Sequence, residues 1–346
     1  MLLEGLHIPL TTPFHSDGRV ALPKLAANVA RYSKTPAVGL IVLGPSAEPT
    51  LLSDDETRDV LRTAAQAAAP EKVLLAGIAR DSVRSVLALA DFAAQQHYDA
   101  VLVAEPSVAT DARELLVFFQ TIADRSPLPV ILLSTGTRPL TVNTVAELAA
   151  HSNILGLIDY DSQAAAISDL HAHTTAVKRE VTVTSTFAAV TARMRLASET
   201  TAAPALITVG SLSSSTTAVA EPPPLAPALR TRTKSVGFQI LSGNSSSLLA
   251  ALNAGVVGIA PAFAAAAPQA CYEVYAAWKD GDSALAEEKQ LRLREAAALA
   301  ESLGPSSLKY ACDLNGYAGG SPRLPHLPPT GDQRANLESA MRGLRN

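Results

Sequence analysis

Asp159 and Asp161 stand two residues apart at the end of an apolar run. Carboxylates in such a position could draw a proton from a bound acid or grip a hard cation. Two residues apart in a strand would share a face, unless the exit turn parts them. Oxygen-ligand metal sites want more carboxylates than this, and no His or Cys lies nearby, so no metal and no cofactor are expected. His171 and His173, in H-A-H on a helical stretch, lack the further ligands a zinc site needs and read as surface or helix-packing residues. Cys271 and Cys312 form neither a C-x-x-C nor a disulfide framework, and read as buried thiols.

Such groups act together only where a fold gathers them. Short runs rich in Val, Ile and Leu, each with a polar or Gly/Pro exit, predict buried parallel strands at 6–12, 38–44, 73–79, 100–106, 129–135, 154–160, 236–243 and 256–262. Amphipathic stretches between them predict helices at 22–33, 54–69, 83–96, 113–125, 142–151, 163–176, 247–253 and 268–279. Ser53 ahead of D-D-E is a helix cap that also suits the helix dipole. Strand and helix alternating eight times predict a (β/α)8 TIM barrel, over 1–282, and no G-x-G-x-x-G follows the first strand to favour an open sheet. Between the sixth and seventh strands roughly fifty residues exceed what a helix and its loops use. This insertion, about 177–235, carries a β-branched run at 181–184, a helical stretch around 187–197, an apolar run at 204–209 and a Ser/Thr/Pro-rich linker. A C-terminal helical extension over 283–346 holds helices at 284–303, 306–314 and 333–344.

Composition fits this architecture. Hydrophobic residues make up 48% of the 346 and aromatics 4%, which suits close-packed helices over strands better than a β-sandwich. A net charge of -4 without basic runs argues against nucleic acid as a partner. No signal peptide and no long apolar span are evident, so a soluble cytoplasmic protein with no membrane partner is expected.

The strand exits carry an ordered series: T-T-P-F at 11–14, G-P-S-A-E at 44–48, A-G-I at 76–78, L-P-V-I-L-L-S-T-G-T-R at 128–138, N-I-L-G-L-I at 153–158, L-S-G-N at 241–244 and G-Y-A-G-G-S-P-R-L-P at 316–325. This series resembles the dihydrodipicolinate synthase / N-acetylneuraminate lyase family. The resemblance runs from about residue 5 to 345, omitting the insertion, and implies a lyase or aldolase barrel that binds a 2-keto acid as a Schiff base on a lysine ending strand six. An imine there is an electron sink for a carbanion and needs a desolvated amine. The family's I-K-E reads here as Ile158-Asp159-Tyr160, and a carboxylate cannot form an imine. The family tyrosine ending strand five falls on Leu133, the first Thr of G-T-T-G-E on Pro45, and the tyrosine reaching across the subunit interface is lost at Ser107-Val108.

Arg138 matches the family arginine that holds a substrate carboxylate, a task its planar fork suits. Thr12, Ser46, Ser134, Ser242 and Asn244 would line the same mouth as hydrogen-bonding groups. The resemblance thus implies a pocket for a small 2-keto or hydroxy acid in a homodimer or homotetramer, with the inherited imine chemistry lost. Asp159 as general base of a divergent lyase, and a partner-binding role for the insertion, are the alternatives. Lys178 and Lys234 belong to the insertion, and Lys309 lies in a tail helix where the family lysine has no catalytic role.

Overall fold

The computed structural model, which describes residues 1–135, 139–160, 163–202 and 229–344, contains every strand the apolar runs predict. Along the chain these are β1 (Gly5–Pro9), β2 (Gly39–Val42), β3 (Val73–Ile78), β4 (Ala100–Ala104), β5 (Val130–Ser134) and β6 (Ile154–Asp159), then β7 (Arg179–Thr184) and β8 (Thr231–Val236), and last β9 (Gln239–Ser242) and β10 (Gly258–Ile259). Eight of them close into a parallel barrel in the order β1-β10-β9-β6-β5-β4-β3-β2, while β7 and β8 pair only with each other, antiparallel.

Alternation along the strands divides their apolar residues between two cores. Ile41, Leu75, Leu102, Ile131, Leu133, Ile158 and Leu241 pack together inside the barrel. Their neighbours Leu40, Leu74, Val101, Leu132, Leu157 and Ile240 belong to the larger core shared with the helices. Both faces being buried explains why these strands read as continuous apolar runs rather than alternating ones.

Helices α1 (Leu22–Tyr32), α2 (Asp54–Ala67), α3 (Val83–Gln95), α4 (Ala112–Arg125), α5 (Val142–Ala149) and α6 (Ala164–Thr174) follow the first six strands in turn. Four of them start at side-chain caps: Ser53 and Glu56 form a reciprocal capping box on α2, and Ser82, Asp111 and Thr141 cap the next three. In the insertion lies α7 (Ala192–Ala202), after which come α8 (Leu248–Asn253) and α9 (Pro268–Lys279), then the tail helices α10 (Ser283–Ser302), α11 (Pro305–Leu314) and α12 (Gly331–Ala340). Among the described residues no helix is long and apolar enough to cross a membrane.

The insertion closes the N-terminal end of the barrel, opposite the strand exits. Val181 and Val183 of the β7–β8 hairpin join Leu2 and Leu3 beneath the interior core. Arg179 donates to the carbonyls of Ala149 and His151 at 2.8 Å each, the Ala192 N–H donates to Asp99 at 2.6 Å, and Lys234 pairs with Glu4. All of these partners precede barrel strands. Sequence periodicity places the seventh barrel strand at 236–243, whereas β8 ends at Val236 and β9 occupies only the later part of that span. T-R-T-K-S-V of β8 is largely solvent-facing and polar, and shows no apolar pattern. The run at 204–209 and the Ser/Thr/Pro-rich linker lie outside the described residues, as do Arg138 and Asp161.

Candidate active site

At the exits of β2 to β5 the barrel opens into a cavity of about 240 Å³, walled by Leu43, Pro45, Ile78, Ala104, Leu133 and Thr135, among others, and overhung by Pro305 and His326 from the tail. The backbone is drawn tight here. Leu43 and Glu48, both non-glycine residues, hold positive φ angles of 61° and 56°, a conformation that costs energy unless its surroundings enforce it. Gly77 fits beneath this turn because a Cβ would sit 2.1 Å from the Leu43 carbonyl oxygen. A larger cleft of about 530 Å³ lies outside the barrel, between Phe14, α1 and the tail helices, away from the strand exits of β2 to β5.

Glu48 and Lys309 supply the charge beside the mouth, and both are buried. They form an ion pair, while the other Glu48 oxygen accepts the Arg323 N–H at 3.0 Å and the Lys309 ammonium donates to the Ser321 carbonyl at 3.0 Å. Phe14 meets two cations, with the ammonium 4.2 Å and the Arg323 guanidinium 4.5 Å from its ring centroid. Arg323 in turn grips Glu56 through two bonds of 2.5 and 2.7 Å and reaches the Leu51 carbonyl at 2.7 Å. Pairing with Arg323 holds the Glu56 carboxyl below the usual carboxylate range. For Lys309, burial pulls the ammonium below its ordinary value while Glu48 pulls the other way. The brace ties T-T-P-F, G-P-S-A-E, the α2 cap and the tail S-P-R into one unit. Sequence reading assigned no role to Glu48. The available signal was Lys309 itself, a lone cation among Leu308, Ala311 and Cys312 on the buried face of α11.

The residues expected at the mouth separate into two groups. Ser134, Asp159 and Ser242 are register partners across β5, β6 and β9, and all three are buried. Each follows an interior residue, namely Leu133, Ile158 and Leu241, so alternation turns them toward the outer side of the barrel wall. None of the three lines the mouth cavity. Ser134 accepts the Leu140 N–H at 3.2 Å, Ser242 accepts the Asn244 N–H at 3.3 Å, and Asn244 caps the following turn by accepting the Ser246 N–H at 3.0 Å. These are turn and cap roles that Ser and Asn fill at strand exits. Thr12 is buried and Ser46 half-buried in the turn after β2, and neither lines the cavity. Arg138 lies outside the described residues.

The inward position beside Leu133 is Ile158, its register partner. The interior thus presents two aliphatic side chains where β5 and β6 end. Behind them, Glu301 of α10 accepts the Ser245 hydroxyl and the Phe263 N–H, the latter at 3.1 Å, tying the exits of β9 and β10 to the tail. Burial pushes the Glu301 carboxyl up to about 7, against the opposing effect of both bonds. Among the described residues no group of three or more His, Cys, Asp and Glu could hold a metal ion.

Comparison with known proteins gives a consistent picture. Residues 2–194 and 227–343 match the dihydrodipicolinate synthetase family. The chain is 28% identical to a 4-hydroxy-tetrahydrodipicolinate synthase of Acidiphilium cryptum, over 99% of both chains. It is 32% identical to an N-acetylneuraminate lyase of Rhizobium meliloti, over 45% of this chain and 54% of that one. Among solved structures, dihydrodipicolinate synthase of Aquifex aeolicus superposes with a TM-score of 0.76 at 19% identity, covering 99% of this chain and 100% of that one. The prophage protein YagE of E. coli K12, solved in complex with pyruvate, superposes with a TM-score of 0.75 at 22% identity over 99% of both chains.

Proposed function

Because the chain belongs to the dihydrodipicolinate synthetase family, we propose that it binds a small 2-keto or hydroxy acid at the barrel mouth and does not form the imine that a strand-six lysine would form. The observation that carries this reading is the pairing of Leu133 with Ile158 at the interior ends of β5 and β6. With the inward residue taken as the one that must meet substrate, the lysine position corresponds to Ile158, one residue earlier than motif matching puts it. Neither Ile158 nor Asp159 carries an amine, so the loss holds in both registers.

No other lysine is placed to substitute. The chain has eight, and Lys309, which reaches the cavity wall through Glu48, is buried and braced as an ammonium. A Schiff-base nucleophile must be uncharged and reachable. Lys178 and Lys234 belong to the far end of the barrel. A general base at Asp159 gains no support, since that carboxylate lies on the outer side of the wall. The strained turn at Leu43 and Glu48 favours a retained binding site, because such backbone persists where surroundings over-determine it. YagE, with its bound pyruvate, is the reason for choosing a keto acid as the ligand class.

Borohydride reduction in the presence of pyruvate, read by intact mass and peptide mapping, tests the proposal. The wild-type chain is expected to give no adduct, Ile158→Lys to give one at position 158, and Asp159→Lys to give none. A wild-type adduct on any lysine overturns the reading, and an adduct from Asp159→Lys alone overturns the register. A homodimer or homotetramer is the assembly the family implies, and light scattering would measure it.

A further inference from the structure

Two ionisable side chains line the described wall of the mouth cavity, Glu48 and His326. Glu48 is buried and fully engaged by Lys309 and Arg323, so its charge is neutralised from within the protein. His326 differs on each count. It stands at the solvent side of the cavity, exposed, on the tail segment between Arg323 and α12. Its ring takes no part in the ion pairs and hydrogen bonds of the described residues, while its backbone N–H is held by the Arg323 carbonyl at 3.0 Å. Arg323 is in turn clamped to Glu56 and to the carbonyls of Gly18 and Leu51. The backbone that carries this ring is therefore held at the rim by the same brace that shapes the cavity. The rest of the wall is mostly aliphatic, with Leu43, Ile78, Ala104 and Leu133 beside the hydroxyls of Thr50 and Thr135.

We propose that His326 grips the acidic head of the ligand bound in this cavity, and that the body of this ligand is apolar: a small monocarboxylic acid with a branched aliphatic or aromatic tail. The proposal rests on the mouth being the ligand site. A ring N–H there can donate to a carboxylate oxygen of the ligand, whichever ring nitrogen carries the hydrogen. Facing it from the described wall, Glu48 is already paired with Lys309 and contributes no net charge of its own. Each further methylene placed against the aliphatic wall then tightens binding about fourfold.

The test is calorimetric titration of the full chain with pyruvate, 4-methyl-2-oxopentanoate and phenylpyruvate. The branched and aromatic acids are expected to bind more tightly than pyruvate. His326→Ala should weaken binding of all three acids about tenfold, as the loss of one hydrogen bond to a charged group implies. Thr50→Trp, at an exposed rim position, should block the cavity. If Thr50→Trp blocks binding while His326→Ala leaves affinity unchanged, the site stands and the assignment of His326 falls. Pyruvate binding more tightly than the larger acids overturns the apolar body. Ligands that bind regardless of Thr50→Trp, or that do not bind the wild-type chain at all, overturn the site and the proposal together.

Discussion

Lys309 and Glu48 are buried charges whose attraction must offset the cost of leaving water, and the bonds to Arg323 and Ser321 satisfy what the pair leaves over. Lys309→Met should therefore cost about 3–5 kcal/mol, because it strands the Glu48 carboxylate. The double variant Lys309→Met/Glu48→Leu should recover most of that loss, since an apolar pair of similar volume has no charge to desolvate. Urea denaturation of the three proteins checks this, and a double variant no more stable than the single one refutes it. The same scale shows where sequence reading stopped. Motif matching located the end of β6, and in a strand one residue of slip exchanges inside for outside. Only the packing of Ile158 beside Leu133 and Leu241 fixes which residue faces in. His326 was invisible for a different reason, since a proline-rich segment carries no periodicity to say which side chain turns toward the barrel.

Among the elements, α10 reaches furthest, because Glu301 near its C-terminus holds the exits of both β9 and β10. Its carboxyl is raised to about 7 by burial, so the folded state binds a proton that the unfolded chain releases near the ordinary value of 4.5. Stability from this group is fully present below about 4.5 and is lost as pH rises through about 7. Glu301→Gln keeps an oxygen to accept both bonds and removes the charge. Its stability relative to wild type should grow by about 1–3 kcal/mol between pH 5 and pH 8, measured by denaturant unfolding at both values. A difference that stays constant with pH would show that Glu301 does not titrate in this window. The barrel elements were legible because each is sealed on both faces and so written in Val, Ile and Leu. β8 was not, because a hairpin strand that faces solvent needs no apolar residues.

Taken whole, the molecule separates its two ends. The mouth is shaped by tail residues and the exits of β2 to β5, and the opposite end is sealed by the inserted hairpin. Val183 is fully buried in that seal. Val183→Asp should destabilise the fold by about 3 kcal/mol through an unpaired buried charge, yet leave ligand affinity within about twofold in the folded fraction. Thermal unfolding and calorimetry on one preparation separate the two effects, and a large loss of affinity would mean the ends are coupled.

Cys271 and Cys312 are both wholly buried, and burial pushes the Cys312 thiol up to about 12, so neither is a ready nucleophile. A single cysteine placed at exposed Phe187, on the hairpin, would then be the one thiol that a maleimide meets first. A chain anchored to a sensor chip through that position would stand with its mouth toward the flow, every copy presented the same way round.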